Sequence, residues 1–205
     1  MSVTRALYID GEWVETDDSI ENINPSDTTE SLGRYAQATP ALADHAIASA
    51  NRAAKEWGQS PMETRYQMLM AIGTELIDRS AELGELLARE EGKTRAEGVG
   101  EVVRSGQFFH YFAAEVHRQI DDRVDSVRPG IEIETRREPV GVVAVISPWN
   151  FPLAIFTGQI AAALATGNGV LAKPAEQTGL IAYRAVQLLH EAGVPTDALQ
   201  LLPGG

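Results

Sequence analysis

The feature that most constrains the fold of this chain is a regular alternation of short apolar runs with helical segments after Pro139. The segment from Pro139 onward is nearly uncharged, as a sheet covered on both faces would be. Its predicted strands are 140–147, 169–174 and 198–204, and its predicted helices are 151–167 and 178–193. Strands joined by helices through short loops predict an α/β fold, with a parallel βαβαβ unit and right-handed crossovers.

The region before Pro139 is dominated by helical periodicity instead. Asp10 and Gly11 predict a tight turn between the two short strands of a hairpin. A helix is predicted to begin with Thr39 as N-cap and Pro40 at its first position. Another helix is predicted over 94–120, weakened by its glycines.

Two further helices are predicted within 60–92. Ser60 and Glu63 have the spacing of a capping box, which predicts a helix start. Gly84 and Gly92 predict a break and a stop, respectively.

The segment 121–139 changes to a two-residue alternation. Arg128, Pro129 and Gly130 predict a turn, and apolar residues then alternate with charged ones. This pattern is typical of an exposed or edge strand, which either pairs with another subunit or forms a plain surface ribbon. The chain therefore divides into a helical part (1–120), an arm (121–139) and the βαβαβ part (140–205).

Composition excludes several functional classes. A formal net charge of -12 over 205 residues argues against a nucleic-acid partner, because phosphates require a basic face. The absence of cysteine excludes disulfides, thiolate nucleophiles and cysteine-ligated metals in this chain. The four histidines lack metal-ligand spacing. No apolar run reaches about 20 residues, and the start lacks the pattern of a signal peptide, so we expect no membrane partner and a cytoplasmic location.

The segment after the first predicted strand of the βαβαβ unit contains Trp149 and Asn150 between two prolines. In an open parallel sheet, ligands bind beyond the carboxyl ends of the strands. Asn150 has two readings: it caps the following helix, with Pro152 in the first turn, or its amide stabilises negative charge that develops on a substrate oxygen. Trp149 either walls a pocket or fills the core.

The second predicted strand ends at Lys173, and Glu176 follows three residues later. A cation and a carboxylate at this edge offer a donor and an acceptor to vicinal hydroxyls, as on a ribose. The alternative is a pair of solvated loop charges. No G-x-G-x-x-G motif is present, so the ordinary dinucleotide fingerprint is not supported.

The combination of "PWNFP" and "KPAEQT", together with "YIDGEWV", "INPSD" and "AGVPTDALQLLPG" in the same order, resembles the NAD(P)-dependent aldehyde dehydrogenase superfamily. The resemblance covers essentially the whole chain. It implies the front part of that family's Rossmann-like cofactor domain, with the segment 121–139 as an oligomerisation arm of a homo-oligomer.

The resemblance also implies roles for particular residues. Asn150 would help to form the oxyanion hole, and Lys173 and Glu176 would bind the adenosine ribose of NAD, with NADP as the alternative cofactor. The cofactor cleft would be lined by the backbone around Ile146, Ser147, Pro148 and Trp149. Because a carboxylate repels a 2′-phosphate, Glu176 predicts a preference for NAD.

Two departures accompany the resemblance. The catalytic cysteine, the general-base glutamate and the second glycine-rich turn of the family are expected beyond position 205, so the chain is interpreted as the amino-terminal portion of a longer enzyme and is expected to be inactive alone. Gly169 stands where family members usually carry a bulkier residue. Two stretches resemble different substrate branches of the family. The stretch "VDSVRPGIEIETRREPVGVV" resembles the branch that oxidises oxo-acid semialdehydes, and "ISPWNFPLAIFTGQIAAALATGN" resembles the branch that oxidises glutamate semialdehyde (pyrroline-5-carboxylate). The rival hypothesis is a non-catalytic module for nucleotide binding or subunit interaction.

Overall fold

The computed structural model describes residues 4–118 and 121–204. Its α-helices are α1 (Pro40–Trp57), α2 (Met62–Asp78), α3 (Ser80–Glu91), α4 (Arg95–Val116), α5 (Ala154–Ala165) and α6 (Gly179–Glu191). Its strands are β1 (Thr4–Arg5), β2 (Leu7–Ile9), β3 (Glu12–Val14), β4 (Ser19–Ile23), β5 (Ser31–Ala36), β6 (Asp122–Asp125), β7 (Glu132–Thr135), β8 (Val142–Ile146), β9 (Gly169–Lys173) and β10 (Leu199–Leu201). A short 3₁₀ helix spans Glu176–Thr178.

The three strands predicted after Pro139 form the parallel part of a five-stranded sheet with the order β3-β2-β10-β9-β8. β9 pairs in parallel with both β8 and β10, so the predicted βαβαβ unit is confirmed. The predicted amino-terminal hairpin is also confirmed, and its strand β2 extends the sheet by pairing antiparallel with β10. Its turn residue Asp10 has a positive φ of 53°.

The two faces of this sheet are covered by different helices. Val170 and Ala172 point into the main core, which contains buried residues of α5 and α6. Leu171 and Lys173, which alternate with them along β9, line a cleft beside the start of α1. A Cβ on Gly169 would lie 2.6 Å from the backbone oxygen of Ala50 in α1. The close approach of α1 explains the glycine at this position.

The predicted break at Gly84 is wrong, although the prediction of two helices is confirmed. The chain breaks at Arg79, and Gly84 lies inside α3. A Cβ on Gly84 would lie 2.6 Å from the backbone nitrogen of Val99, and one on Gly98 would lie 2.4 Å from the oxygen of Gly84. These glycines therefore allow the backbones of α3 and α4 to touch. Gly92 ends α3 as predicted, with a left-handed φ of 90°.

The predicted capping box of Ser60 and Glu63 is also wrong. No side chain caps α2, and the hydroxyl of Ser60 donates instead to the backbone oxygen of Trp57, 2.6 Å away. A capping box does form at the start of α4, where Thr94 and Glu97 each accept from the backbone of the other.

Two exposed regions complete the fold. β8 is an edge of the described sheet, and the side of it that carries Ile146 is exposed, so the predicted full burial of this strand is wrong. The predicted arm contains the hairpin β6–β7, in which every residue is exposed. The sequence did not predict the small sheet β1-β5-β4. Among the described residues, no helix has the length and apolarity needed to cross a bilayer.

Candidate active site

The segments after β8 and β9 lie side by side at one edge of the sheet. Ile146 and Lys173 are register partners in the parallel ladder. The backbone N–H of Ser147 continues this pairing by donating to the oxygen of Lys173 at 3.2 Å. The fold thus brings the two sequence motifs together, as expected for the carboxyl ends of adjacent parallel strands.

Asn150 lies in an irregular turn and not at the start of α5. Phe151, Pro152 and Leu153 separate it from Ala154, the first helical residue, so the N-cap reading of Asn150 is wrong and Pro152 precedes the first turn. The side chain of Asn150 is exposed and makes no hydrogen bond to another described residue. It is therefore free to donate to a ligand, whereas its backbone oxygen accepts from Lys93 Nζ at 3.2 Å.

The start of α5 is capped by a carboxylate from α4. Glu101 Oε1 accepts from the backbone N–H of Leu153 at 2.9 Å and of Ala154 at 3.0 Å. Its other oxygen is ion-paired with Lys93, and both side chains are almost completely buried. Lys93 also lies 4.9 Å from the ring centroid of Phe151, in cation–π geometry. Lys93 and Glu101 thus hold the turn that carries Asn150 through contacts to its backbone and to the start of α5.

The start of α6 is capped in the same way by Glu90 of α3. Glu90 accepts from the backbone N–H of Leu180 at 2.7 Å and of Ile181 at 2.8 Å, and from the amide of Asn22. No cation pairs with Glu90 among the described residues. Burial raises the pKa of the Glu90 carboxyl to about 7, against the opposing effect of the hydrogen bonds it accepts.

These two caps limit where a cofactor phosphate can bind. A helix N-terminus is ordinarily an anion site, because its N–H groups are free and its dipole favours negative charge. Here the N-termini of α5 and α6 already hold the buried carboxylates of Glu101 and Glu90. Neither helix start is available to a pyrophosphate.

Sequence reasoning missed Glu90, Lys93 and Glu101. A signal was nevertheless present for Glu90, because it continues the buried stripe of Leu83 and Leu87 at helical spacing. A carboxylate on the apolar face of a helix requires a buried partner, although the sequence does not say which one.

The exposed side of the Asn150 turn opens into a pocket of about 450 Å³. Its walls come from the end of α3, the start of α4 and the turn itself: Glu91, Lys93, Glu97, Gly100, Glu101, Arg104, Asn150, Phe151 and Ala154. The pocket therefore combines an unengaged amide, an aromatic wall and several charged groups.

The residues predicted to bind cofactor face two clefts. Ile146 and Lys173 line the cleft beside the start of α1, which has a volume of about 320 Å³ and is otherwise largely apolar. Trp149 and Glu176 line a second cleft of about 470 Å³, whose floor includes Glu90. Because Trp149 is 55% exposed, it walls this cleft and does not fill the core.

Ser147 and Pro148 lie between these clefts in the chain. Ser147 is 7% exposed, and its hydroxyl has no hydrogen-bond partner among the described residues. Lys173 likewise makes no described ion pair. Lys173 is therefore available to a polar ligand in the cleft that it lines, whereas the buried hydroxyl of Ser147 is not.

The sequence matches the model of the aldehyde dehydrogenase family over residues 13–205. It is 41% identical to a 1-pyrroline-5-carboxylate dehydrogenase of Anoxybacillus flavithermus, over 97% of this chain and 38% of that protein. It is 38% identical to an alpha-ketoglutarate semialdehyde dehydrogenase of Haloferax volcanii, over 96% of this chain and 41% of that protein.

Comparison of the fold with solved structures leads to the same family. The 1-pyrroline-5-carboxylate dehydrogenase from Thermus, solved with bound NAD, superposes with a TM-score of 0.90 and 34% identity, over 100% of this chain and 40% of that one. The chain thus spans about two fifths of the length of these relatives. The resemblance found in the sequence is confirmed: this chain belongs to the aldehyde dehydrogenase family.

Proposed function

We propose that this chain supplies the oxyanion side and part of the cofactor cleft of an NAD(P)-dependent aldehyde dehydrogenase, which oxidises a carboxylate-bearing semialdehyde to the acid. The observation that carries the proposal is the free amide of Asn150, held at the edge of a pocket by the buried pair Lys93–Glu101. The names of two relatives, a 1-pyrroline-5-carboxylate dehydrogenase and an alpha-ketoglutarate semialdehyde dehydrogenase, support a carboxylate-bearing substrate.

In this proposal, Asn150 donates its amide N–H to the aldehyde oxygen as that oxygen gains negative charge under nucleophilic attack. A donor that is already oriented needs no reorganisation when the charge develops, which is the basis of oxyanion stabilisation. The chain has no cysteine, so the attacking thiol would come from outside these 205 residues. A bound nicotinamide would supply the hydride acceptor, and water would then release the acid.

The cofactor would be held by Lys173, Glu176 and the backbone of 146–149. The exposed face of β8 and Lys173, which line one cleft, and Glu176, which lines another, fit a nucleoside with hydroxyl groups. We propose NAD as the preferred cofactor, because Glu176 would repel a 2′-phosphate. The test is the ratio of kcat/KM with NAD to kcat/KM with NADP, measured in the wild type and in Glu176→Gln. The substitution should lower this ratio, and an unchanged ratio contradicts the role of Glu176.

The arm 121–139 would join subunits into a homo-oligomer. Val127 is fully exposed, and Val124, Ile131 and Ile133 are each about half exposed on the same hairpin segment. Unpaired apolar strand edges of this kind favour pairing with another chain. Light scattering compares the molar mass of Ile133→Lys with that of the wild type. An unchanged mass contradicts the assignment of the arm.

A cytoplasmic location is also proposed.

The second candidate function is a non-catalytic module for nucleotide or subunit binding, which the absence of cysteine favours. The 205-residue chain alone is expected to form no NADH from any semialdehyde.

In the complete enzyme that carries this chain, Asn150→Ala should lower kcat about 10²–10³-fold with little change in cofactor affinity. Asn51→Ala, at an exposed site in α1, is the matched control. Unchanged turnover in Asn150→Ala excludes the oxyanion role.

A further inference from the structure

The pocket beside Asn150 contains one cation that no described residue engages. Arg104 is exposed and makes no hydrogen bond or ion pair within the described chain. The pocket's three carboxylates, in contrast, all have partners: Glu91 and Glu101 contact Lys93, and Glu97 belongs to the capping box of α4. Arg104 is therefore the charged group of this pocket that remains available to a ligand.

The position of Arg104 relative to Asn150 follows from α4. Arg104 stands three residues after Glu101, on the same face and about 4.5 Å further along the helix axis. Glu101 lies directly beneath the start of α5, and its partner Lys93 contacts the backbone of Asn150. A Cβ on Gly100 would meet no atom within 4 Å, so the space beside Arg104 is open.

We propose that Arg104 binds the distal carboxylate of the semialdehyde while Asn150 faces the aldehyde oxygen. This assignment rests on the proposed function for the aldehyde end. The planar guanidinium can hold a carboxylate through two parallel hydrogen bonds, which gives both charge and orientation. Phe151 offers an apolar wall to the methylene chain between the two ends. Arg104 thus selects semialdehydes over uncharged aldehydes of similar length.

The kinetic test compares succinate semialdehyde with butanal in the complete enzyme that carries this chain. Arg104→Gln should raise KM for succinate semialdehyde roughly 10- to 100-fold, with kcat and the butanal kinetics nearly unchanged. Arg104→Lys should give an intermediate KM, because it keeps the charge without the planar fork. Equal losses on both substrates, or an unchanged selectivity ratio, would overturn the assignment. If the wild-type enzyme oxidises neither aldehyde, the proposed function itself is overturned.

A binding test does not depend on catalysis. Glutarate is titrated into the 205-residue chain while backbone amide resonances of Gly100 and Asn150 are followed by NMR. Shifts at both residues that disappear in Arg104→Gln support the assignment. Equal shifts in the two proteins, or none in the wild type, overturn it. Matching melting temperatures establish that the variant is folded.

Discussion

The N-termini of α5 and α6 are both capped by buried carboxylates, but among the described residues only the carboxylate at α5 has a counter-ion. Each helix follows a motif segment at the carboxyl edge of the sheet, and each is capped by a buried carboxylate from the helical layer. At α5, Glu101 is paired with the cation Lys93. At α6, Glu90 is supported by the neutral amide of Asn22, and burial raises its pKa to about 7.

The difference shows what a counter-ion adds to a buried cap. A carboxylate at a helix start gains from the N–H groups and the dipole, but it loses its hydration. Lys93 compensates Glu101 and also contacts the Asn150 turn, so this cap belongs to the proposed reaction site. Glu90 lacks such a partner among the described residues, and its cap therefore responds to pH.

The largest effect is expected from removal of the paired carboxylate. Glu101→Ala should lower the free energy of unfolding by about 3–5 kcal/mol, because Lys93 loses the more deeply buried of its two carboxylate partners and two backbone N–H groups lose their acceptor. Urea unfolding at pH 7 measures the loss. The control, Glu56→Ala, is exposed in α1 and should change little. A loss no larger than that of the control would show that the pair does not hold α5.

Removal of the cation should make the α5 cap resemble that of α6. Lys93→Met leaves Glu101 buried without a counter-ion, at a cost of about 3 kcal/mol near pH 8. Urea unfolding measures this cost against that of Lys55→Met, which removes an exposed cation of α1. A loss no larger than that of Lys55→Met contradicts the role of Lys93 as counter-ion.

The α6 cap should already make stability depend on pH. The folded-state pKa of Glu90, about 7, lies above its ordinary value of 4.5, so its folded form binds more protons between these values. Its contribution to stability is therefore present below pH 4.5 and lost as the pH rises through 7, by about 1.4 kcal/mol per unit at most. Glu90→Gln should remove this slope, and Glu56→Gln should retain it. Identical slopes in all three proteins would contradict the assignment.

The smallest effect is expected at the neutral partner of Glu90. Asn22→Ala removes one hydrogen bond to the carboxylate and should cost about 1–2 kcal/mol at pH 8. The cost should be smaller at pH 5, where protonated Glu90 needs fewer donors. A Tm series across this pH range measures it, and a larger loss at pH 5 than at pH 8 would contradict the proposed charge on Glu90.

The sequence by itself determined the parallel βαβαβ unit, the amino-terminal hairpin and the position of Asn150 and Lys173 at one sheet edge. These features follow from local periodicity and from the rule that ligand sites lie beyond the carboxyl ends of parallel strands. The family resemblance added roles for Asn150, Lys173 and Glu176, which remain predictions.

Only the tertiary structure decided how the site is supported. Glu101 caps a residue 52 positions away, and Glu90 caps one 90 positions away. Gly84 looked like a helix break but is a contact point between α3 and α4. Local patterns report the preferences of neighbouring residues, whereas the partner of a buried charge and the neighbour of a glycine are fixed by packing between distant segments. For that reason the sequence indicated Asn150, and the fold was needed to identify Lys93, Glu101 and Arg104 around it.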